Sequence, residues 1–170
     1  MSALSRAEAP QTDITGFLLI AAGSLVAALL LILAVPYYAG SSARIASLYS
    51  NLASPADRAL AAEIKAYAVN RDHNLAAAKL DLSNEVKAET SFDNGVGGIT
   101  FPPAADPHND QLIALDAKRI SLIKLQLKAT SLRKLQAFDS RVEAASAAVD
   151  AQVKIMRADL GLPPVSRGLY

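Results

Sequence analysis

The stretch ITGFLLIAAGSLVAALLLILAVPYYAGSSA, residues 14–43, carries no charged side chain. Its inner part, Gly16 to Val35, supplies about the 20 apolar residues that one helix needs to cross a bilayer. No second run of this kind occurs in the 170 residues. This reading decides the architecture. A short tail covers 1–13, a transmembrane helix covers 14–38, and the rest of the chain lies on one side of a lipid bilayer. Pro36 is expected to end or bend the span, because proline has no N–H and its ring crowds the preceding turn. Tyr37 and Tyr38 suit the interface, where a ring is half wet.

Arg6 stands before the span and Arg44 after it, so the positive-inside rule barely discriminates. A short N-terminal tail before a lone span sets the default: a bacterial inner-membrane anchor with the C-terminal domain exported. The alternative is a secreted soluble helical protein after signal cleavage near Ala43, where small residues Ser41-Ser42-Ala43 stand at the right spacing. An apolar core longer than the usual ~7–15 residues of a signal argues for the anchor. Gly23 and Ala27 are four apart, share a helix face, and would let another membrane helix approach closely.

Composition points to helices throughout. The chain is 52% hydrophobic but only 5% aromatic, with Ala and Leu supplying most of the apolar character, and strands favour β-branched and aromatic residues instead. The net charge of +1 provides no global field for nucleic acid. The absence of Cys excludes disulfides, thiolate metal sites and Cys nucleophiles.

After a connector over 39–53, the chain reads as a long antiparallel helical hairpin over 54–161, coiled-coil-like, with a C-terminal tail over 162–170. Ser54-Pro55-Ala56-Asp57 has the form of a helix start: a cap, a proline with the right φ, and an acid at the positive end of the dipole. Leu60, Ile64, Tyr67, Arg71, Leu75, Ala78, Leu82 and Val86 follow at steps of three or four. Residues 92–106 hold Gly95, Gly97, Gly98, Pro102 and Pro103 and form the tip loop. Asp106-Pro107-His108-Asn109 restarts a helix, which Gly161 and Pro163 end. At about 1.5 Å per residue the arms would be roughly 54 and 80 Å long. The end of the longer arm then packs on residues 43–51.

Apolar faces exceed what a two-helix hairpin can cover. The distal part of the long arm has one stripe, Leu135, Phe138, Val142, Ala145, Val149, Val153, Met156 and Leu160. The proximal part has two: Ile113, Ile120, Ile123 and Leu127, and separately Leu115, Leu122, Leu125, Ala129 and Leu132. Their centres differ by more than a quarter turn at ~100° per residue. The second stripe, with Leu115, Leu122, Leu125 and Leu132, is therefore a candidate partner-binding surface unless a broader bundle within the chain covers it. Phe92, Val96, Ile99 and Phe101 form another, as apolar groups on a loop. Lys118, Arg119, Lys124, Lys128, Arg133 and Lys134 fall in the same segment without an acid, and read as a solvated face balanced in part by Asp81, Glu85 and Glu89. Aromatic interleaving for base stacking is missing, which argues against nucleic acid.

No motif carries catalysis. Asp81, Glu85 and Glu89 share a helix face, but the His partner that a helical metal site needs three or four residues from a Glu is missing. Gly95–Gly98 follows a helix and lacks the Lys of a phosphate loop. The expectation is a non-enzyme without cofactor or metal. Gly16-Phe17-Leu18-Leu19-Ile20, the following apolar run and Pro36 resemble the start of a type IV pilin, which implies processing between Gly16 and Phe17. Thr15 stands where that family usually has a basic residue and Ala21 where it has an acid, and the later helices are unlike its β-rich head. The layout of one span and an exported coiled coil is similar to phage inner-membrane spanins, in architecture alone. The reading is a single-pass membrane-anchored structural or accessory subunit. It docks on other membrane subunits through its span, the hairpin face and the tip loop. The alternative is a self-assembling envelope component, partnered by copies of itself.

Overall fold

The computed structural model describes residues 14–164, with side chains from Ser41 onward. All regular structure among them is helical: α1 (Ile14–Asn70), α2 (Leu75–Val96), α3 (Asp106–Gln126), α4 (Leu132–Gln136) and α5 (Asp139–Asp159). Two compact units divide the chain between Gly40 and Ser41. The first contains the N-terminal part of α1. Among residues described in full, 41–164, no helix is long and apolar enough to cross a membrane. The predicted span over 14–38, including Gly23 and Ala27, lies outside them.

The second unit is a four-helix bundle, not the expected two-arm hairpin. Each helix runs antiparallel to both neighbours. Tyr49 meets Phe92 edge-to-face at 6.1 Å while Asn70 Nδ2 donates to Asp81 at 2.8 Å, which sets α1 against α2. Arg119 pairs with Glu85 and Glu89, joining α3 to α2. His108 Nδ1 lies 2.6 Å from Asp159 at one end of α3, and Gln126 Nε2 donates to Asp139 at 2.8 Å at the other, so α5 returns along α3. Tyr67 donates to Asp139 at 2.6 Å and closes the ring between α1 and α5.

Both extra reversals occur without glycine or proline. At the first, Asn70 O accepts from Asn74 N at 2.8 Å, and the Asn74 side chain then caps α2 by accepting from Ala77 N at 3.0 Å. Asn and Asp hold such turns because their short side chains substitute for backbone partners. At the second, Ser131 is extended and caps α4. Thr130 and Ser131 offer the backbone an alternative to the helix ladder. Gln126 Nε2 then donates to Leu135 O at 3.1 Å and fastens the returning chain.

The Ser54-Pro55 helix start is corrected: α1 runs through it. Pro55 is exposed, and so is Asn51, whose carbonyl loses its helical donor to the proline. Water can serve that carbonyl. The connector over 39–53 is likewise part of α1, and its Ala46, Tyr49 and Ala53 are core residues. The C-terminal stop is as expected. Gly161 has φ +65°, Leu162 N donates to Arg157 O at 2.8 Å and Gly161 N to Ala158 O at 3.0 Å, the Schellman pattern.

The core has two apolar clusters. One gathers Tyr49, Val96, Phe101, Leu112, Val153 and Met156 at the end where Ser41 begins the bundle. The other gathers Ala78, Leu82, Ile123, Ala129 and Leu135 toward the opposite end. The tip-loop expectation changes accordingly. α2 continues to Val96, and the loop over 97–105 folds back, with Pro102 O accepting from Ala105 N and Asp106 N. Val96 is 0% and Phe101 6% exposed, so they seal the core rather than offer a contact. Phe92 is half-buried on Tyr49, and Ile99 packs on the same cluster.

Candidate functional site

The inward face of α3 is Asn109, Leu112, Asp116, Arg119, Ile123 and Gln126, at steps of three and four. Four of these six are polar, and of these Arg119 and Gln126 meet polar side chains on neighbouring helices, while Asn109 Oδ1 is buried without a hydrogen-bond partner among the described residues. Arg119 is 2% exposed, pairs with Glu85 and Glu89 of α2, and donates through Nε to Ser146 Oγ of α5 at 2.6 Å. Ser146 in turn donates to Val142 O at 2.9 Å. A buried charge is tolerated only when paired and hydrogen-bonded, and this guanidinium satisfies that condition with two carboxylates and a hydroxyl. Burial pushes the Glu85 carboxyl above its ordinary range, opposed by the neighbouring Arg119 charge. Burial also raises Asp93, opposed by its hydrogen bond with Asp116.

Nearer the 71–74 turn, Tyr67, Gln126 and Asp139 form a second polar group. Gln126 Nε2 donates to Tyr67 Oη and to Asp139 Oδ1, both at 2.8 Å. Arg71 pairs with the other Asp139 oxygen at 3.0 Å. Burial, then the hydrogen bond to Asp139, push the Tyr67 phenol above its ordinary range, so it stays a donor.

The surplus apolar stripe lies about a quarter turn from the inward face of α3. Leu115 and Leu122 are half-buried and line a groove of about 310 Å³ with Ala144, Ala145 and Ala148 of α5, rimmed by Lys118 and Arg141. Leu125, one turn on, is 44% exposed. Leu132 is half-buried in α4, outside this groove. Ile120 and Ile123 of the other stripe are buried in the bundle. The structure therefore places Leu115 and Leu122 in one groove, and Leu115 also packs on the apolar cluster that holds Phe92, Val96, Ile99 and Phe101. Ile99 lines a different apolar groove, with Ile45, Leu48 and Leu52. Lys118, Lys124, Lys128, Arg133 and Lys134 are all exposed, and only Arg119 of that basic run is inside.

Sequence reasoning missed the polar core. The spacing of Asp81, Glu85 and Glu89 placed three carboxylates on one helix face, and that face is the buried one. Asn109, Asp116, Arg119 and Gln126 have the same core spacing, which a search for apolar stripes passes over. Among the described residues no group of three or more His, Cys, Asp or Glu is placed to hold a metal ion. No family model matches the chain, and neither a curated protein nor a solved structure matches it.

Proposed function

We propose that this chain is a single-pass membrane-anchored accessory subunit that docks on another membrane protein through the α3–α5 groove. The observation that carries the reading is the groove itself. Leu115 and Leu122, left over by the apolar pattern, lie side by side over a floor of alanines with Lys118 and Arg141 at the rim. Both leucines are already half-buried, so covering the rest of them contributes only a part of the roughly 1.5–3 kcal/mol that full burial of each would give. Small floor residues admit a helix, and the basic rim selects one with acidic flanks. The uncharged run over 14–43 supports the anchor, since its length matches a hydrocarbon core.

Two experiments test it in native membranes. The full-length chain should resist extraction by alkaline carbonate; its release would remove the anchor. A photo-crosslinking residue at Leu122 should give one discrete adduct with a second protein, and the same residue at exposed Leu80 on α2 should not. No adduct at Leu122, or equal labelling at both positions, would remove the groove.

A further inference from the structure

From Ala117 to Phe138 the chain has six cations and no acid. Arg119 is the one that lies inside, held by Glu85 and Glu89, and the other five are exposed. Four of these, Lys124, Lys128, Arg133 and Lys134, fall on the end of α3, the reversal after it and α4. That reversal sits beside the 71–74 turn, where Gln136 Nε2 donates to Arg71 O and to Asp72, both at 2.9 Å. The four cations therefore stand at the end of the bundle opposite Ser41.

The acids that the sequence offered as counter-charges are spent elsewhere. Asp81 accepts from Asn70, Glu85 and Glu89 hold Arg119, and all three are buried. The acids that flank the run are engaged too. Asp116 is buried and hydrogen-bonded with Asp93, and Asp139 takes Tyr67, Gln126 and Arg71. Asp72 takes Arg71 and Gln136. Among the described residues none of the four cations has an ion pair, and Lys134 Nζ donates to Thr130 Oγ1 at 3.2 Å. Leucines stand among them: Leu125, three residues before Lys128, is 44% exposed, and Leu132 is half-buried next to Arg133. Cations that reach lipid phosphates around apolar side chains that enter the acyl boundary hold a protein surface on an anionic bilayer. Three of the four are lysines, flexible point charges that suit a diffuse phosphate layer better than a fixed carboxylate, which an Arg fork grips. A nucleic acid would want stacking rings, and the sole aromatic from 117 to 138 is Phe138, half-buried under the Arg141 guanidinium.

We infer that this end of the bundle, through Lys124, Lys128, Arg133 and Lys134, binds the phosphate layer of an anionic lipid bilayer. Neither the span nor the α3–α5 groove takes part, so carbonate extraction and crosslinking at Leu122 can fail independently of it. The full-length chain is held in nanodiscs of neutral phosphatidylcholine, which accommodate the apolar run, and mixed with vesicles of phosphatidylglycerol or of phosphatidylcholine. The loaded nanodiscs should sediment with the phosphatidylglycerol vesicles at about 0.1 M salt and not with the phosphatidylcholine ones. They should dissociate toward about 1 M, where the screening length drops from about 10 Å to about 3 Å. Lys128→Gln with Lys134→Gln should weaken binding about 25-fold, roughly fivefold for each charge. Lys87→Gln with Lys154→Gln removes the same charge from exposed sites outside this end, and should leave binding within about twofold. All four lysines are exposed, so both variants should keep the helical circular dichroism of the wild type. Equal binding to the two lipids, or an equal loss in the two variants, would overturn the inference. Capture on immobilised polyglutamate without binding to phosphatidylglycerol would overturn it in favour of an acidic protein partner.

Discussion

Around Tyr49, Leu112 and Met156 the four helices meet through apolar side chains, and the loop over 97–105 closes that end with Phe101. Around Tyr67, Arg119 and Gln126, toward the 71–74 turn, the same four helices meet through charges and amides and leave a pocket open. The first half resembles an ordinary bundle core, where close packing supplies stability. The second half holds groups that are costly to desolvate and useful only when each is matched. Apolar packing and ion pairing are thus separated along one bundle: a sealed apolar end begins at Ser41, and a polar end faces away from it.

The sharpest way to break this contrast is to remove one charge. Arg119→Met should cost about 3–5 kcal/mol in urea unfolding, because it strands Glu85 and Glu89 in the core. Combining it with Glu85→Gln and Glu89→Gln should recover most of that loss, since the uncompensated charges go with it. In the apolar half, Met156→Ala should cost about 2–5 kcal/mol through its cavity, and no second substitution among charged residues should restore it. A mild effect of Arg119→Met, or no recovery in the triple variant, would show that the polar half is not held by ion pairing.

A smaller effect is expected from pH. Burial raises Glu85 and Asp93 above the ordinary carboxylate range. Between the unfolded and folded values, the folded state keeps protons that the unfolded chain has released, so stability falls as pH rises through that window. Their contribution is full below the unfolded value and is lost as pH passes the folded one. Urea midpoints taken from about pH 4 to about pH 7 should therefore fall less in Glu85→Gln with Asp93→Asn than in the wild type. Parallel profiles would contradict the assignment.

Much of the helical character was legible because Ala and Leu dominate a chain poor in aromatics. The distal stripe was legible too: Leu135 of α4, Val149, Val153 and Met156 of α5, and Leu160 after it are all buried. The bundle was not legible, for two physical reasons. Its additional turns use Asn74, Thr130 and Ser131, whose capping role depends on neighbours supplied by the fold, rather than Gly or Pro, which act alone. Its central face on α3 alternates Leu112 and Ile123 with Asp116, Arg119 and Gln126, so the apolar pattern pointed to faces rotated away from the true one. One of those faces is the Leu115–Leu122 groove, which is why it remained as a surplus. Conversely, the glycine-rich 92–106 segment read as an exposed tip because composition marks a loop without saying where it folds.

The measurement that bears most directly on the docking account is the mass and composition of the particle extracted from native membranes in mild detergent. The account expects a particle well above the 17.8 kDa chain, with a second protein in fixed ratio. Leu122→Asp with Leu125→Asp, which spare the core-packed Leu115, should reduce it to the chain alone while the helical circular dichroism of the bundle is retained. A wild-type particle containing one copy of this chain and nothing else, or a complex indifferent to both substitutions, would contradict it.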